Sequence, residues 1–463
     1  QADLSELTVH SLGLQSGSTG RIQEGIDLVT GSTVTVAAGT YNEQLTIDKS
    51  LTLTGDVGDA SAGPGAAAPL LDGGGLVGSA IVISPGTSGV TIEGLEITNY
   101  RNRDLDTAFT TGGLGSAIEA FSGSTSNITI RDNFLHNLGW NGVLVGNEGQ
   151  ALHDNWSVDN NVITNMGFIG VELTNTQNSS VTGNVITGGS DILGEDSSGN
   201  EPADNSDDGI LVQTQIHQGA GLTVSNVTVQ DNTISGTHDR AGIELLAWDS
   251  TGLLTAGLTD IDVLNNSVSD AFRGLYVFTV GSNSLINDIS VDGNEFDGNE
   301  DGIQFRDFDF TGLGTHGTID ITHNKITNST GASSGIHIRS ADVEVAGISI
   351  NFNEISGSTS FDINHEGTGT LDASANYWGS ADPATVAAKI SGPVDFTPLL
   401  ENGDTAAGTI GFQADLSELT VHSLGLQSGS TGRIQEAIDL VTGSGSTVTV
   451  AAGTYNEQLT IDK

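Results

Sequence analysis

The dominant pattern along this chain is a pair of short alternating apolar and polar stretches that recurs many times. In each recurrence an alternating stretch is followed by an Asn and then by an apolar residue, and a Gly precedes the next alternating stretch, as in ITIRDNFL…NGVLV (128–145). Alternation with a period of two predicts β-strands. Successive asparagines are mostly 23–34 residues apart, with one separation of 48. Strand repeats of this length predict a solenoid, and 23 residues suffice for three short strands. The chain is therefore predicted to be all-β, a parallel β-helix.

The repeated asparagines occupy one equivalent position in every coil. They are Asn133, Asn161, Asn184, Asn232, Asn266, Asn294, Asn324, Asn353 and Asn376. Equivalent residues of stacked coils lie about 4.8 Å apart, the spacing of paired strands. An Asn amide both donates and accepts, so stacked amides can bond along the axis and to bent backbone. We expect a structural ladder at one corner, in preference to a binding role.

Different patterns flank the repeats. Ile22, Ile26 and Val29 are spaced i, i+4 and i+7, which predicts a short helix with Thr19 as its N-cap. A helix in this place would cover the open edge of the stacked strands. We therefore interpret residues 1–31 as a cap and residues 32–400 as the β-helix. Near its end, Asp382–Pro383 predicts the start of another short helix.

The chain repeats its own beginning. Residues 413–436 are identical to residues 1–24, and the match continues to Lys463 with one substitution, Gly25 to Ala437, and an inserted Gly445–Ser446. Packing alone does not enforce such identity, because cores tolerate many apolar substitutions. We interpret 413–463 as the start of another tandem unit, joined through a small, polar linker at 401–412. We expect the apolar face of this segment to stack directly on the preceding unit; the alternative is a separate unit on a flexible linker.

Charge narrows the possible partners. The chain has 58 Asp and Glu against 13 Lys and Arg, a formal net charge of −45, and no Cys. Such a surface repels nucleic acid and anionic membranes and attracts cations. The sequence contains no apolar run of 18 or more residues, so no membrane insertion is expected in this fragment. Calcium is the expected cofactor, and an extracellular or cell-surface location fits the composition.

These motifs resemble a known group of proteins. The alternating NxI…xGIxV coils, AAGTYNEQLTI (37–47) and NYWGSADP (376–383) are similar to right-handed parallel β-helix proteins of the pectate-lyase-like superfamily, closest to NosD-type and surface-protein repeats. The resemblance spans about residues 20–400. It implies the fold strongly and the function weakly, because this fold supports lyases, hydrolases, epimerases, tailspikes and adhesins. Neither the calcium aspartates with a catalytic Arg of the lyases nor the Asp-Pro-His motif of the alginate epimerases is matched in full.

The strand after each repeated Gly offers one candidate binding face. If its apolar residues point inward, the outward residues form a groove of carboxylate, aromatic and basic side chains suited to sugars. The candidate carbohydrate-binding residues are Glu172, Glu244, Tyr276, Phe278, Arg306, His337 and Arg339. The resemblance implies that enzymes of the group work on such a face, so Glu172 and Glu244 are candidates for acid and base. The alternative is an ordinary solvated β-sheet face.

An acidic insertion is the candidate metal site. Residues 191–208 concentrate carboxylates that could bind a hard cation such as calcium, although their spacing is not that of an EF-hand. The candidate ligands are Asp191, Glu195, Asp196, Asp204, Asp207 and Asp208. A disordered acidic loop is the alternative.

Two functions remain open from the sequence. The duplication favours a structural or adhesive tandem-repeat module of a large extracellular fibre or surface layer, whose partners are neighbouring units of the same protein. The alternative is a polysaccharide-binding or polysaccharide-degrading β-helix protein, whose partner is a polysaccharide or cell-surface glycan. Catalytic activity is left undecided, with a structural role favoured.

Overall fold

The computed structural model describes residues 4–55, 68–101, 115–147, 151–188, 208–216, 221–236, 240–309, 311–331, 334–405 and 408–462. The chain divides into two compact units, residues 1–244 and 245–463. Nearly all described strands are parallel and belong to three sheets that we call A, B and C, and a fourth sheet of three strands lies near the end of the second unit. The described residues contain three short helices: α1 (Arg21–Leu28), α2 (Pro383–Ala387) and α3 (Arg433–Leu440). None of these helices is long and apolar enough to cross a membrane.

In the first unit the chain visits sheets A, B and C in turn and then returns to A. Its sheet A strands are Glu6–Val9, Thr33–Val36, Leu51–Gly55, Ser88–Glu93, Ser126–Arg131, His153–Asp159, Thr176–Gln177, Ser179–Thr182 and Leu222–Gln230. Its sheet B strands are Thr40–Tyr41, Leu70–Asp72, Glu96–Thr98, Phe134–Leu138, Val162–Met166, Val185–Thr187 and Thr233–Ser235. Its sheet C strands are Leu45–Ile47, Ile81–Ile83, Ile118–Ala120, Val143–Val145, Val171–Thr174 and Ile210–Ile216. Another sheet C strand, Ile243–Asp249, includes the residues at which the two units meet in sequence.

The second unit repeats this order. Its sheet A strands are Ala256–Leu264, Ser284–Asp292, Thr315–His316, Ile319–Thr322, Ile348–Asn351, Leu371–Asp372 and Val394–Asp395. Its sheet B strands are Ser267–Ser269, Glu295–Asp297, Lys325–Thr327 and Glu354–Ser356. Its sheet C strands are Arg273–Val280, Asp301–Phe308, Ser334–Ile338, Phe361–His365 and Ile390–Ser391. Three consecutive strands close one coil and stack on the previous coil, so the fold is a parallel β-helix, as the sequence predicts.

The repeated asparagines lie at the turn between sheets A and B, where the structure places them in a hydrogen-bonded ladder within each unit. Asn133 donates through Nδ2 to Oδ1 of Asn161 at 3.0 Å, and Asn294 donates in the same way to Asn324 at 2.9 Å. All nine side chains are buried. The residue before each of them has a left-handed backbone, with φ between 53° and 69°, for example Gly293 at φ 69°. The bend leaves backbone groups without strand partners, and the Asn amides bond to them.

The first helix is capped differently from the prediction. Its N-cap is Gly20 and not Thr19, and no N-cap side chain bonds to it. Instead the Glu43 carboxylate accepts hydrogen bonds from the backbone N–H groups of Ile22 and Gln23 at 3.0–3.2 Å. A carboxylate from the turn between Thr40–Tyr41 and Leu45–Ile47 thus fills the role that sequence reasoning gave to a local hydroxyl. The prediction for α2 is confirmed, because Asp382 accepts from the Thr385 N–H at 3.1 Å.

The second copy of the repeated segment packs directly on the end of the preceding coils, within the second unit. Strand Leu399–Leu400 pairs antiparallel with Glu418–Val421, which pairs in parallel with Thr447–Val450. The buried side chains at this junction are Leu400, Phe412, Leu419, Val421, Ala437 and Val441. The predicted linker, described at 401–405 and 408–412, also contacts the coils: the Phe412 N–H donates to the His323 carbonyl at 2.6 Å. This packing is the stacked arrangement favoured from the sequence.

Candidate functional site

The sheet C face of the coils differs from the predicted open groove. Parallel register aligns Leu144, Glu172 and Leu211 in the first unit, and Tyr276, Gln304 and His337 in the second. All six side chains are buried, as is Glu244. The expectation of a solvent-facing groove at Glu172, Glu244, Tyr276 and His337 is therefore wrong. Alternation predicted that these side chains point away from the core, but it could not tell whether other residues cover them.

Glu172 lies in a closed polar cluster of the first unit. Its Oε2 accepts from Asn141 Nδ2 at 2.8 Å, and its Oε1 accepts from Thr174 Oγ1 at 2.7 Å and Gln213 Nε2 at 3.1 Å. Burial raises the pKa of the Glu172 carboxyl, and these three hydrogen bonds oppose the rise. Neutral donors thus replace the water that the carboxylate lost, which is the usual requirement for a buried polar group.

Asp208, Arg240 and Glu244 form a second cluster in the same unit. Arg240 donates from Nη2 to Glu244 Oε1 at 2.5 Å, and its Nε lies 3.8 Å from Asp208 Oδ2. Burial is the main cause that raises the pKa of Asp208 well above its usual value. The neighbouring Glu244 charge adds to the rise and Arg240 opposes it. A carboxylic acid beside an arginine-bound carboxylate can donate and accept protons. Both carboxyl groups are fully buried, however, and we assign them no catalytic role.

The second unit presents aromatic rings and guanidinium groups. Tyr276 and Phe278 stack with ring centroids 4.9 Å apart. The Arg306 guanidinium lies 5.5 Å from the Phe278 ring centroid and 5.7 Å from that of Phe308. Phe278 and Arg306 are half-buried, and Phe308 is exposed. We call Phe278, Arg306, Phe308 and the exposed Arg339 the aromatic–arginine patch.

A buried network supports this patch. Arg273 lies 4.2 Å from the Tyr276 ring centroid and donates from Nε to Gln304 Oε1 at 2.8 Å. Gln304 in turn donates to Asp301 Oδ2 at 2.5 Å, and that oxygen lies 3.4 Å from His337 Nδ1. These contacts fix the ring of Tyr276, on which Phe278 stacks. His337 therefore belongs to the support beneath the surface and not to the surface itself.

The arginines illustrate what sequence spacing missed. Arg240, Arg273, Arg306 and Arg339 are each 33 residues apart, which suggests one column. The structure separates them, because Arg273 pairs in register with Asp301 while Arg306 pairs with Phe278. Coil lengths are unequal, so equal spacing does not give equal position. The supporting residues Asn141, Gln213, Arg273, Asp301 and Gln304 had no sequence signal beyond their place in the repeat.

The candidate metal ligands are mostly outside the described part of the chain. Asp191, Glu195, Asp196, Asp204 and Asp207 lie in the undescribed range 189–207. Asp208 is described, and it bonds within the Arg240 cluster. Among the described residues, no group of three or more His, Asp or Glu side chains is placed to hold a metal ion.

Comparison with known proteins gives one family match. Residues 116–309 match the family model described as the right handed beta helix region. No curated protein sequence matches the chain.

Several solved structures resemble the chain at low identity. The Azotobacter vinelandii mannuronan C-5 epimerase AlgE6 A-module is 16% identical with a TM-score of 0.49, and the match covers 77% of this chain and 94% of that one. The exopolygalacturonase from Thermotoga maritima is 11% identical with a TM-score of 0.46, covering 83% and 85%. The polygalacturonase from Erwinia carotovora ssp. carotovora is 13% identical with a TM-score of 0.44, covering 80% and 94%.

Proposed function

The chain is a right-handed parallel β-helix protein, and we propose that it binds an anionic polysaccharide on the aromatic–arginine patch of its second unit. The observation that carries this proposal is the pair of unpaired cations. Within the described residues, neither Arg306 nor Arg339 has an ion-pair partner within 4.0 Å, in a chain with 58 Asp and Glu. An arginine that pairs with no carboxylate among the described residues is available to a carboxylate of a ligand.

The aromatic rings give the patch its preference for sugars. The rings of Phe278 and Phe308 both lie within 6 Å of the Arg306 guanidinium. Aromatic faces pack against the apolar C–H faces of pyranose rings, while guanidinium groups bond hydroxyl and carboxylate oxygens. Ligand sites commonly combine such apolar surface with a few placed polar groups. The buried network beneath Tyr276 holds the rings in place before a ligand arrives, which reduces the entropy lost on binding.

Binding to a polyuronate and to a neutral glucan of equal length tests the proposal, with affinity electrophoresis and calorimetry at low salt. We expect the polyuronate to bind and the neutral glucan to bind at least tenfold more weakly. The double substitution Arg306→Gln and Arg339→Gln should weaken polyuronate binding tenfold or more, about 1.4 kcal/mol. Arg131→Gln is the matched control, because Arg131 is an exposed arginine 2.6 Å from Glu93.

Three outcomes overturn polysaccharide binding: no binding, equal binding by the double variant, or an equal loss in Arg131→Gln. Measurement of reducing ends and of unsaturated products in the same mixtures reports any accompanying hydrolysis or elimination.

The junction favours a second function. We also propose that the chain is a tandem-repeat module of an extracellular fibre or surface layer, with neighbouring units as partners. The supporting observation is that the second copy buries Phe412, Leu419 and Val421 against the end of the preceding coils. Immunogold labelling of unpermeabilised source cells is the test. We expect label on surface filaments or a surface layer, and label found only after permeabilisation would refute this role.

A further inference from the structure

The repeated segment has the same internal structure in both places. Arg21 donates to the carbonyls of residues 10, 12 and 13, and Arg433 to those of residues 422, 424 and 425. Glu457 caps α3 at 3.1–3.2 Å, as Glu43 caps α1. The segment therefore holds its own shape in two different surroundings.

One side of the segment is covered only in the second copy. Leu419 and His422 are buried beneath Leu399–Leu400 and Phe396, whose ring centroid is 4.6 Å from that of His422. In the first copy the counterparts Leu7 and His10 are half-buried and exposed. We call this the upstream side.

The opposite side is covered only in the first copy. Val36, Leu45 and Ile47 are 0–1% exposed there, whereas their counterparts Val450, Leu459 and Ile461 are 44%, 46% and 74% exposed. We call this the downstream side. The same apolar side chains are thus exposed in the second copy and buried in the first.

The first copy shows which residues cover the downstream side. Thr33–Val36 pairs with Thr52–Gly55, Thr40–Tyr41 with Leu70–Leu71, and Leu45–Ile47 with Ile81–Ile83. We call the strands Leu51–Gly55, Leu70–Asp72 and Ile81–Ile83 the first coil. It supplies one strand to each of the three sheets.

We propose that residues 413–462 are a two-sided connector, whose downstream side binds the first coil of another copy of this unit. The occupant is identified by the first copy, in which the same side chains are buried against the first coil. This inference deepens the tandem-module function, on which it rests, and is independent of polysaccharide binding. The connector would join the upstream coils to the next unit without a flexible spacer.

The uncovered downstream side already has the internal hydrogen bonds that it has in the covered first copy. The Tyr455 hydroxyl donates to the Ala451 carbonyl at 2.8 Å, the distance found for Tyr41 and Ala37 in the occupied copy. Gln435 bonds Thr460 through both its amide nitrogen and its oxygen, as Gln23 bonds Thr46. Preorganisation of this kind lowers the entropy lost on docking. A Cβ added at Gly445 of the insertion would meet nothing within 4 Å, so the insertion lies in open space.

The test compares the full chain with the full chain continued after Lys463 by residues 50–412 of a second copy. Hydrogen exchange of residues 453–461, which lie beyond the strand paired with Glu418–Val421, is followed by mass spectrometry, with residues 39–47 as the internal reference. In the full chain we expect fast exchange at 453–461 and slow exchange at 39–47. In the extended chain we expect exchange at 453–461 to slow at least tenfold. Unchanged exchange there would overturn the proposal.

Substitutions separate docking from general stability. Val450→Asp should leave exchange across the full chain unchanged, because Val450 is exposed, and should restore fast exchange at 453–461 in the extended chain. Leu253→Asp is the matched control at an exposed position, and it should change neither protein. Slow exchange that survives Val450→Asp would overturn the docking surface. If the docking surface were overturned in this way but surface filaments were seen in source cells, the tandem-module function would still hold, with units joined flexibly.

Discussion

Replacement of Asn294 by Ala tests the asparagine ladder at a position with a ladder neighbour on each side. Asn294 Oδ1 accepts from the Asn266 backbone N–H at 2.8 Å and from Asn266 Nδ2 at 3.0 Å. Its own Nδ2 donates to the carbonyl of Val263 at 2.8 Å and to Asn324 Oδ1 at 2.9 Å. The Ala side chain removes all of these bonds from a fully buried site. Asn324 Oδ1 keeps one donor, the Asn294 backbone N–H at 2.8 Å.

The expected loss of stability follows from the groups left without a partner. The Asn266 N–H and the Val263 carbonyl each lose a buried hydrogen bond, at about 1–3 kcal/mol per group. The vacated space is polar and of a size to admit a water molecule, which favours the lower half of that range. We therefore expect a local loss of about 2–4 kcal/mol.

Native-state hydrogen exchange over residues 258–268 is the assay, because a solenoid unfolds locally and one global free energy describes it poorly. Asn283→Ala is the control: Asn283 is exposed, and its side chain bonds the Gly252 carbonyl at 2.6 Å and the Asp249 carboxylate. We expect this control to change stability by less than about 0.5 kcal/mol. If Asn294→Ala changes the exchange free energy as little as the control does, the ladder does not stabilise the coils.

Three further predictions concern backbone strain, pH and cations. Gly293 has φ 69°, and a Cβ added there would lie 2.6 Å from Asn265 Oδ1, whereas Gly298 has φ 70° and open space around an added Cβ. Gly298→Ala should therefore lower the free energy of unfolding in chemical denaturation by only about 1–2 kcal/mol, and Gly293→Ala should lower it by more. Burial, then the charges of Asp395 and Asp372, raise the pKa of Glu436 to about 7, although a Ser374 hydrogen bond opposes them. A folded-state pKa above the unfolded value means that junction stability is lost as pH rises through about 7. This loss develops between the ordinary pKa of 4.5 and about 7, so Glu436→Gln should flatten the dependence of the exchange free energy of residues 433–441 on pH between 5 and 7, and an unchanged slope would contradict this. Sodium chloride should raise the melting temperature because it screens the net charge of −45. Calcium at equal ionic strength should raise the melting temperature further if the carboxylates of residues 191–208 bind calcium. Identical rises in the two salts would reject that calcium site.

Much of the coil architecture could be read from the sequence because it depends on local pattern. The alternation at 128–130 predicted the strand Ser126–Arg131, and the Asn positions predicted the turns, since a left-handed residue followed by Asn recurs at each turn between sheets A and B. The helices α1 and α2 were also found, although the cap of α1 was not. Glu43 is 21 residues from the N–H of Ile22, and only the folded coil brings them together.

The candidate site was predictable only in part. The sequence analysis selected Phe278, Arg306 and Arg339, which together with Phe308 make up the half-buried to exposed aromatic–arginine patch. It also selected Glu244 and His337, which the fold buries. Periodicity assigns a side chain to one side of a strand. The residues that cover that side come from distant parts of the chain, so exposure is a tertiary property.

The duplicated segment shows, within one molecule, what the local sequence determines and what tertiary contact determines. Residues 21–28 and 433–440 are helices in both copies, because helical hydrogen bonds close within the segment. Residues 40–47 contain two strands, yet the same sequence at 454–461 forms none. A strand must borrow its hydrogen bonds from a neighbour, and the first coil supplies that neighbour only to the first copy. Sequence determined the helix, the turns and the apolar pattern, and tertiary contact decided which of the apolar residues became strand and core.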